Sequence, residues 1–175
     1  MKIIGAAFFL ILIVALPSFS QQKQNDEPEA DVSDRKDVKG FGGHLFLVKD
    51  PRGFVEEWLK PETPHIVPVS VVERGEVLGA FVLFAGCKPD TQGICNAKVD
   101  YTLYKPDGSV RDERKEQPLW DEAAPPEPNI QLSKAILVFR LEPGDSTGEY
   151  KVKAKVHDLN AEISFELETR FRLEE

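Results

Sequence analysis

Apolar and polar residues alternate most cleanly toward the C-terminus. Tyr150, Val152, Ala154 and Val156 interleave with Lys151, Lys153, Lys155 and His157. Asp158, Leu159 and Asn160 then make a turn, and Ala161, Ile163, Phe165 and Leu167 interleave with Glu162, Ser164, Glu166 and Glu168, in a phase that holds to Phe171 and Leu173. A period of two sends successive side chains to opposite faces of a strand, so the stretch predicts an antiparallel hairpin with one dry face and one wet face. Pairing Val156 with Ala161 sets Lys155 against Glu162 and Lys151 against Glu166, opposite charges that support the register. A slip by one residue would turn the whole apolar set to water.

The same pattern predicts further strands. Val99, Tyr101 and Leu103 alternate with Asp100, Thr102 and Tyr104, while Ala80 to Phe84 is an unbroken apolar run, the mark of a strand buried on both faces. Pro106, Asp107 and Gly108 form a turn between Tyr104 and Val110. Ala135, Leu137, Phe139 and Leu141 share one face of another strand, closed by the turn Glu142 to Asp145. His44 to Val48 is a short strand, and His65 to Val72 is one with Val67, Val69 and Val71 inward, which Pro68 either places at a sheet edge or gives a bulge. Glu73 to Glu76 turns that strand back into Val77 to Phe84.

One segment has a helical period instead. Phe54, Val55, Trp58 and Leu59 fall on one face, with Asp50 as N-cap and Pro51 in the first turn. This predicts a helix that lays Trp58 over one end of the core. After Val110 the pattern lapses for about twenty residues. Arg111 to Glu116 is a charge run read as a solvated face, followed by Pro118, Pro125, Pro126 and Pro128 with Leu119 and Trp120 among them. With no βαβ rhythm, the whole predicts an all-β fold: an antiparallel β-sandwich of about 7–8 strands with one short helix near residues 51–59.

The N-terminus stands apart. Lys2, the apolar stretch Ile3 to Ala15 and the small residues before Gln21 read as a secretory signal peptide over residues 1–20. The run is short of the roughly 20 apolar residues of a spanning helix. Residues 21–43 hold six acidic side chains between Asp26 and Asp37 and few large apolar ones, so they are expected to form a flexible acidic tether ahead of a sandwich at 44–175. The whole chain carries a net charge of −8, which argues against nucleic acid or an anionic membrane surface as partner. No membrane insertion is expected once the signal is cut.

Cys87 and Cys95 are the only cysteines. In an exported chain they imply one disulfide, closing a loop worth about 2.5 kcal/mol by loop entropy. Export and a disulfide together point to a periplasmic or secreted location.

Two motifs bear on the fold. Asp145-Ser146-Thr147-Gly148-Glu149-Tyr150 resembles the D-x-x-G-x-Y corner of immunoglobulin-like domains, in which the tyrosine hydroxyl pins the turn leading into the next-to-last strand. The stretch Tyr101 to Gly108, reading Tyr-x-x-Tyr-x-Pro-Asp-Gly, resembles a strand and turn of macroglobulin-like and related bacterial immunoglobulin-like modules. The resemblance spans the C-terminal half and implies the sandwich, with Asp145, Gly148 and Tyr150 as a structural corner. It implies no activity.

Catalytic and cofactor signals are missing. There is no phosphate-cradling glycine loop and no Gly-x-Ser-x-Gly elbow. His44, His65 and His157 are scattered without metal-ligand spacing. Asp145, Asp158 and Asn160 suggest an interstrand cation only thinly, since turns favour the same residues. The expectation is therefore a protein that is not an enzyme, with no cofactor and no metal. It is read as a binding or assembly module of the bacterial envelope whose partner is another envelope or secreted protein. The candidate contact residues are Lys88, Asp90 and Gln92 in the disulfide loop, with Trp120 in the loop from Gln117 to Asn129. The alternatives are an inhibitor or immunity protein against an exported toxin or hydrolase, and a hydrolase with a loop-assembled site.

Overall fold

The computed structural model describes residues 33–62, 64–126 and 129–175. The expected signal peptide and residues 21–32 of the expected tether lie outside them. In chain order the described elements are β1 (Arg35–Val38), β2 (Phe41–Lys49), α1 (Pro51–Trp58), β3 (Val71–Val72), β4 (Val77–Ala85), β5 (Ala97–Tyr104), β6 (Val110–Trp120), β7 (Gln131–Leu132), β8 (Leu137–Arg140), β9 (Gly148–Asp158) and β10 (Ile163–Leu173). They form an all-β sandwich of two five-stranded sheets. The first runs β1-β2-β4, with β7 and β8 both paired to β4, and the second runs β3-β10-β9-β5-β6. All pairs are antiparallel except β3 with β10.

The core lies between the sheets. Leu45, Leu47, Leu78, Ala80, Val82 and Phe84 of the first sheet meet Val99, Tyr101, Leu103, Val152, Ala154 and Val156 of the second. The opposite face of β4 is covered too: Phe81 and Leu83 join Phe46 and Val48 of β2 and Phe54 of α1 in a second cluster. Burial on both faces is why the β4 sequence lacks alternation. Gly79 lets α1 sit this close, since a Cβ there would lie 2.5 Å from Pro51 Cβ.

Several expectations are corrected. The chain enters the sandwich earlier than residue 44. Arg35–Val38 pairs with Phe41–His44 around a turn at Lys39 and Gly40, both at positive φ. The β1 side chains are mostly exposed, so hydrogen bonding to β2 orders this segment without an apolar signature. α1 ends at Trp58, and Leu59 beyond it is exposed. Trp58 packs beside Phe54 on the outer face of the first sheet, not over an end of the core.

The strand expected over His65 to Val72 shrinks to Val71–Val72 with its phase reversed. Val67 and Val71 are 65% and 44% exposed, while Val72 is fully buried. Glu73 to Glu76 is not a hairpin turn, because β3 and β4 belong to different sheets and β4 has β2 on one side and β7 and β8 on the other. The edge position that Pro68 suggested does hold for β3.

The segment after Val110 is not an aperiodic loop. It is the edge strand β6, paired to β5 with three register shifts. Each irregularity resets the side-chain phase, which hides the strand from a pattern of period two. The C-terminal hairpin has the expected faces in a different register: Val156 pairs with Phe165, Lys155 with Glu166 and Lys153 with Glu168. Val156 therefore meets a residue four positions beyond Ala161, and the even shift keeps every side chain on its face. Asp158 extends β9 by turning its side chain inward, where Oδ1 accepts from the N–H groups of Asn160 and Ala161, both at 3.0 Å.

Candidate functional site: the stapled end of the sandwich

Between β4 and β5 the chain leaves the sandwich as a loop closed by the Cys87–Cys95 disulfide, with Cα atoms 6.0 Å apart. Inside the ring, Asp90 N–H donates to the Ile94 carbonyl at 2.8 Å, and Gly93 N–H to the Asp90 carbonyl at 3.1 Å. The Asp90 carboxylate accepts from Gln92 N–H at 2.8 Å and Ile94 N–H at 2.9 Å. Those backbone donors hold the Asp90 carboxyl below its ordinary range. Asp90 thus shapes the loop even though its side chain faces solvent.

Two neighbouring segments hold the loop from outside. On one flank lies the turn between β9 and β10. Asp158 Oδ2 accepts from Lys88 N–H at 2.7 Å, and the Asn160 amide donates to the carbonyls of Lys88 at 2.9 Å and Ile94 at 3.0 Å. On the other flank lies the segment after β6. Cys95 N–H donates to the Glu122 carbonyl and Ala124 N–H to the Gly93 carbonyl, each at 2.9 Å. Residues 87–95, 121–124 and 158–160 thus make one assembled end of the molecule. The two loops singled out in the sequence do come together there, although Gln117–Trp120 belong to β6.

The candidate residues differ in what they offer. Lys88, Asp90 and Gln92 are exposed on the loop. Trp120 is half-buried, with its ring centroid 5.8 Å from that of Phe84 and its indole N–H donated to the Ala123 carbonyl at 3.0 Å. Its polar handle is spent on the chain itself, so it supports the 121–124 segment from below. Asp158 and Asn160, expected as turn formers and as thin candidates for an interstrand cation, are the struts of this loop. Their legible signal was an Asp-x-Asn at a hairpin end, with no hint of which loop they hold.

Asp145, Gly148 and Tyr150 lie at the opposite end, where β9 begins. Tyr150 O–H donates to the Ser146 carbonyl at 2.8 Å. Asp145 accepts from Arg111 Nε at 3.0 Å and Nη2 at 2.8 Å, and from Glu142 N–H at 2.8 Å. The Arg111 guanidinium holds the Asp145 carboxyl below the usual carboxylate range. Asp145 is thus separated from Asp158 and Asn160, and the three do not converge on an interstrand cation. Among the described residues no group of three His, Cys, Asp or Glu side chains is placed to hold a metal ion.

A groove of about 720 Å³ opens on the flank of the first sheet, lined by apolar side chains including Phe46, Leu83, Ile66 and Ile130. His44 lines it 3.6 Å from Asp34, with its pKa lowered by burial and by the Arg35 charge.

No family model matches the chain, and no curated protein matches it. Among solved structures it is similar to a family 123 glycoside hydrolase from Clostridium perfringens, with 8% identity and a TM-score of 0.40, over 75% of this chain and 27% of that one. It is also similar to the CARDB domain of a Pyrococcus furiosus protein solved in complex with di-metal ions, with 10% identity and a TM-score of 0.38, over 79% of this chain and 97% of that one. The chain spans only 27% of the hydrolase's length, and neither likeness bears on activity.

Proposed function

We propose that this protein is an exported, non-enzymatic binding or assembly module of the bacterial envelope, which presents the stapled end of its sandwich to another envelope or secreted protein. The observation that carries this reading is the rigid fixing of residues 87–95. One disulfide and hydrogen bonds from both flanks order the loop before any partner arrives. A loop already ordered loses little entropy on association. Its exposed side chains, Lys88, Asp90 and Gln92, are then the contact set, with Trp120 bracing the adjoining 121–124 segment. A disulfide suits an oxidising compartment, and no helix among the described residues is long and apolar enough to cross a membrane. The same rigid projection also suits insertion into the active site of an exported toxin or hydrolase, so an inhibitor or immunity role is the second reading.

The test is photo-crosslinking in periplasmic extract from Gln92 and, as control, from the exposed Thr147 at the opposite end of the sandwich. Proteins captured from Gln92 alone are identified and purified. Binding is then measured for wild type and for a Lys88→Ala/Gln92→Ala double variant, neither side chain of which supports the fold. A loss of tenfold or more in affinity, about 1.4 kcal/mol, is expected of a contact set that carries the binding. Unchanged affinity overturns the assignment of the loop. A captured hydrolase or toxin that loses activity on binding selects the inhibitor reading.

A further inference from the structure

Away from the staple, the wet face of the second sheet carries a cavity of about 420 Å³ at the turn between β5 and β6. Its lining includes Tyr104, Lys105, Glu149, Lys151, Lys153 and Arg170. Strand register builds it. Tyr104 pairs with Lys151 and Lys151 with Arg170, so a phenol and two cations stand in one row across β5, β9 and β10. Like charges placed directly opposite each other cost stability, so the fold does not ask for this row. Lys105 enters from the turn, whose backbone is fixed by Lys105 N–H to the Ser109 carbonyl at 2.8 Å and Gly108 N–H to the Lys105 carbonyl at 2.9 Å. Pro106 packs onto Gly148 at the start of β9 so closely that a Cβ there would lie 3.0 Å from the proline ring, which locks the turn to the sheet.

The charge balance is uneven. Beside the cavity, Glu168 is 7% exposed and faces three cations. Arg170 holds it closely, with Nε at 2.8 Å and Nη2 at 2.7 Å. Lys151 and Lys153 stand off at 3.7 and 3.9 Å. Arg170 also reaches Glu149 at 3.0 Å, and Lys153 reaches Glu166 at 3.5 Å. Four cations and one carboxylate therefore line a cavity in a chain whose net charge is −8. The guanidinium fork is already used by Glu168 and Glu149. The ammonium groups are held less closely: Lys151 and Lys153 meet carboxylates only at 3.5 to 3.9 Å, and Lys105 is in no ion pair among the described residues. Clustered ammonium groups act as point charges, which suit a compact tetrahedral oxyanion such as phosphate.

We infer that this cavity binds a phosphate or sulfate group, held by Lys105, Lys151 and Lys153, with Tyr104 beside it to receive a sugar or polyol that carries the group. The inference is independent of the stapled loop and its partner.

The test is an NMR titration of the amide-labelled exported protein with inorganic phosphate, inorganic sulfate, glucose 6-phosphate and sodium chloride at matched ionic strength. Saturable shifts are expected at Tyr104–Gly108 and Glu149–Lys153 with the three oxyanions and not with chloride. A Lys151→Gln/Lys153→Gln variant should bind roughly tenfold more weakly, as should Lys105→Gln, whose side chain is tied into no strand pairing. Lys155→Gln, on the same face outside the cavity, should bind like wild type. Tighter binding of glucose 6-phosphate than of phosphate identifies an esterified ligand, and equal binding identifies the free ion. A response to chloride equal to that of the oxyanions, or undiminished binding in both lysine variants, overturns the inference.

Discussion

The two ends of β9 close the same kind of junction with different chemistry. Where β9 ends, closure is covalent and made through the backbone: the Cys87–Cys95 bond, and an Asp158 carboxylate that accepts three N–H groups. Where β9 begins, closure is made by side chains. Arg111 grips Asp145 with two nitrogens, Arg74 donates to the Asp145 carbonyl, and Tyr150 reaches back to Ser146. The difference decides what each end has left to offer. A junction tied by a disulfide and backbone groups leaves its long side chains to solvent, so Lys88 and Gln92 stay uncommitted. A junction tied by ions consumes its arginines and its aspartate.

That contrast breaks most visibly with Asp145→Ala. Arg111 and Asp145 are 19% and 13% exposed as side chains, so the variant strands a largely buried guanidinium and leaves Glu142 N–H without its acceptor. A loss of about 3 kcal/mol is expected, read as a lower urea midpoint at unchanged slope. A loss below about 1 kcal/mol would mean that Arg74 and Tyr150 hold the corner alone. Replacing both cysteines by serine comes next. The small closed loop sets the cost at about 2.5 kcal/mol. Faster amide exchange should be confined to residues 88–95 and 121–124, with the Tyr150 end unchanged. Exchange that rises equally at both ends would show the ends to be one cooperative unit.

The sequence was legible where the chain meets one wet and one dry environment. Residues 150–157 and 163–173 show this best, because each side chain has a single fixed face. The hairpin register was not legible there, since pairings that differ by an even number bury the same residues, and Asp158 chose among them from inside. β6 was missed because its register shifts against β5 reset the period. β1 was missed because its side chains bury almost nothing. The staple was readable from two cysteines behind an expected signal peptide, but its flanks were not. The Asn160 amide bonding to Lys88 and Ile94 spans residues with no pattern between them. The lysine row was visible as a wet face, yet its cavity exists only once Arg170 is set beside Lys151.

Smaller changes sharpen the same comparison. Tyr150→Phe removes one hydrogen bond to Ser146 and keeps the ring stacked on Phe171. It should cost about 1 kcal/mol, measured by the same urea midpoint. A larger loss would point to the ring environment and not to the hydroxyl.

Acid acts on both groups with the same sign but in different pH windows, with the smallest effect at mild pH. The Asp145 carboxyl is held below its ordinary value of 3.8, first by Arg111. The native state then binds fewer protons than the unfolded chain, so the contribution of this group is complete above 3.8 and is lost as the pH falls through the lowered folded value. His44 acts earlier. Burial, then Arg35, lowers its pKa from 6.5. The unfolded chain therefore takes up a proton first, and stability declines as the pH drops from 6.5 toward the lowered value. In urea titrations at stepped pH, His44→Gln should flatten the upper decline. The gap between wild type and Asp145→Asn should stay constant down to about pH 5 and close only at lower pH. A gap that already narrows near neutrality would show that the Arg111 pair does not hold the Asp145 carboxylate, and the ionic half of the comparison would fail with it.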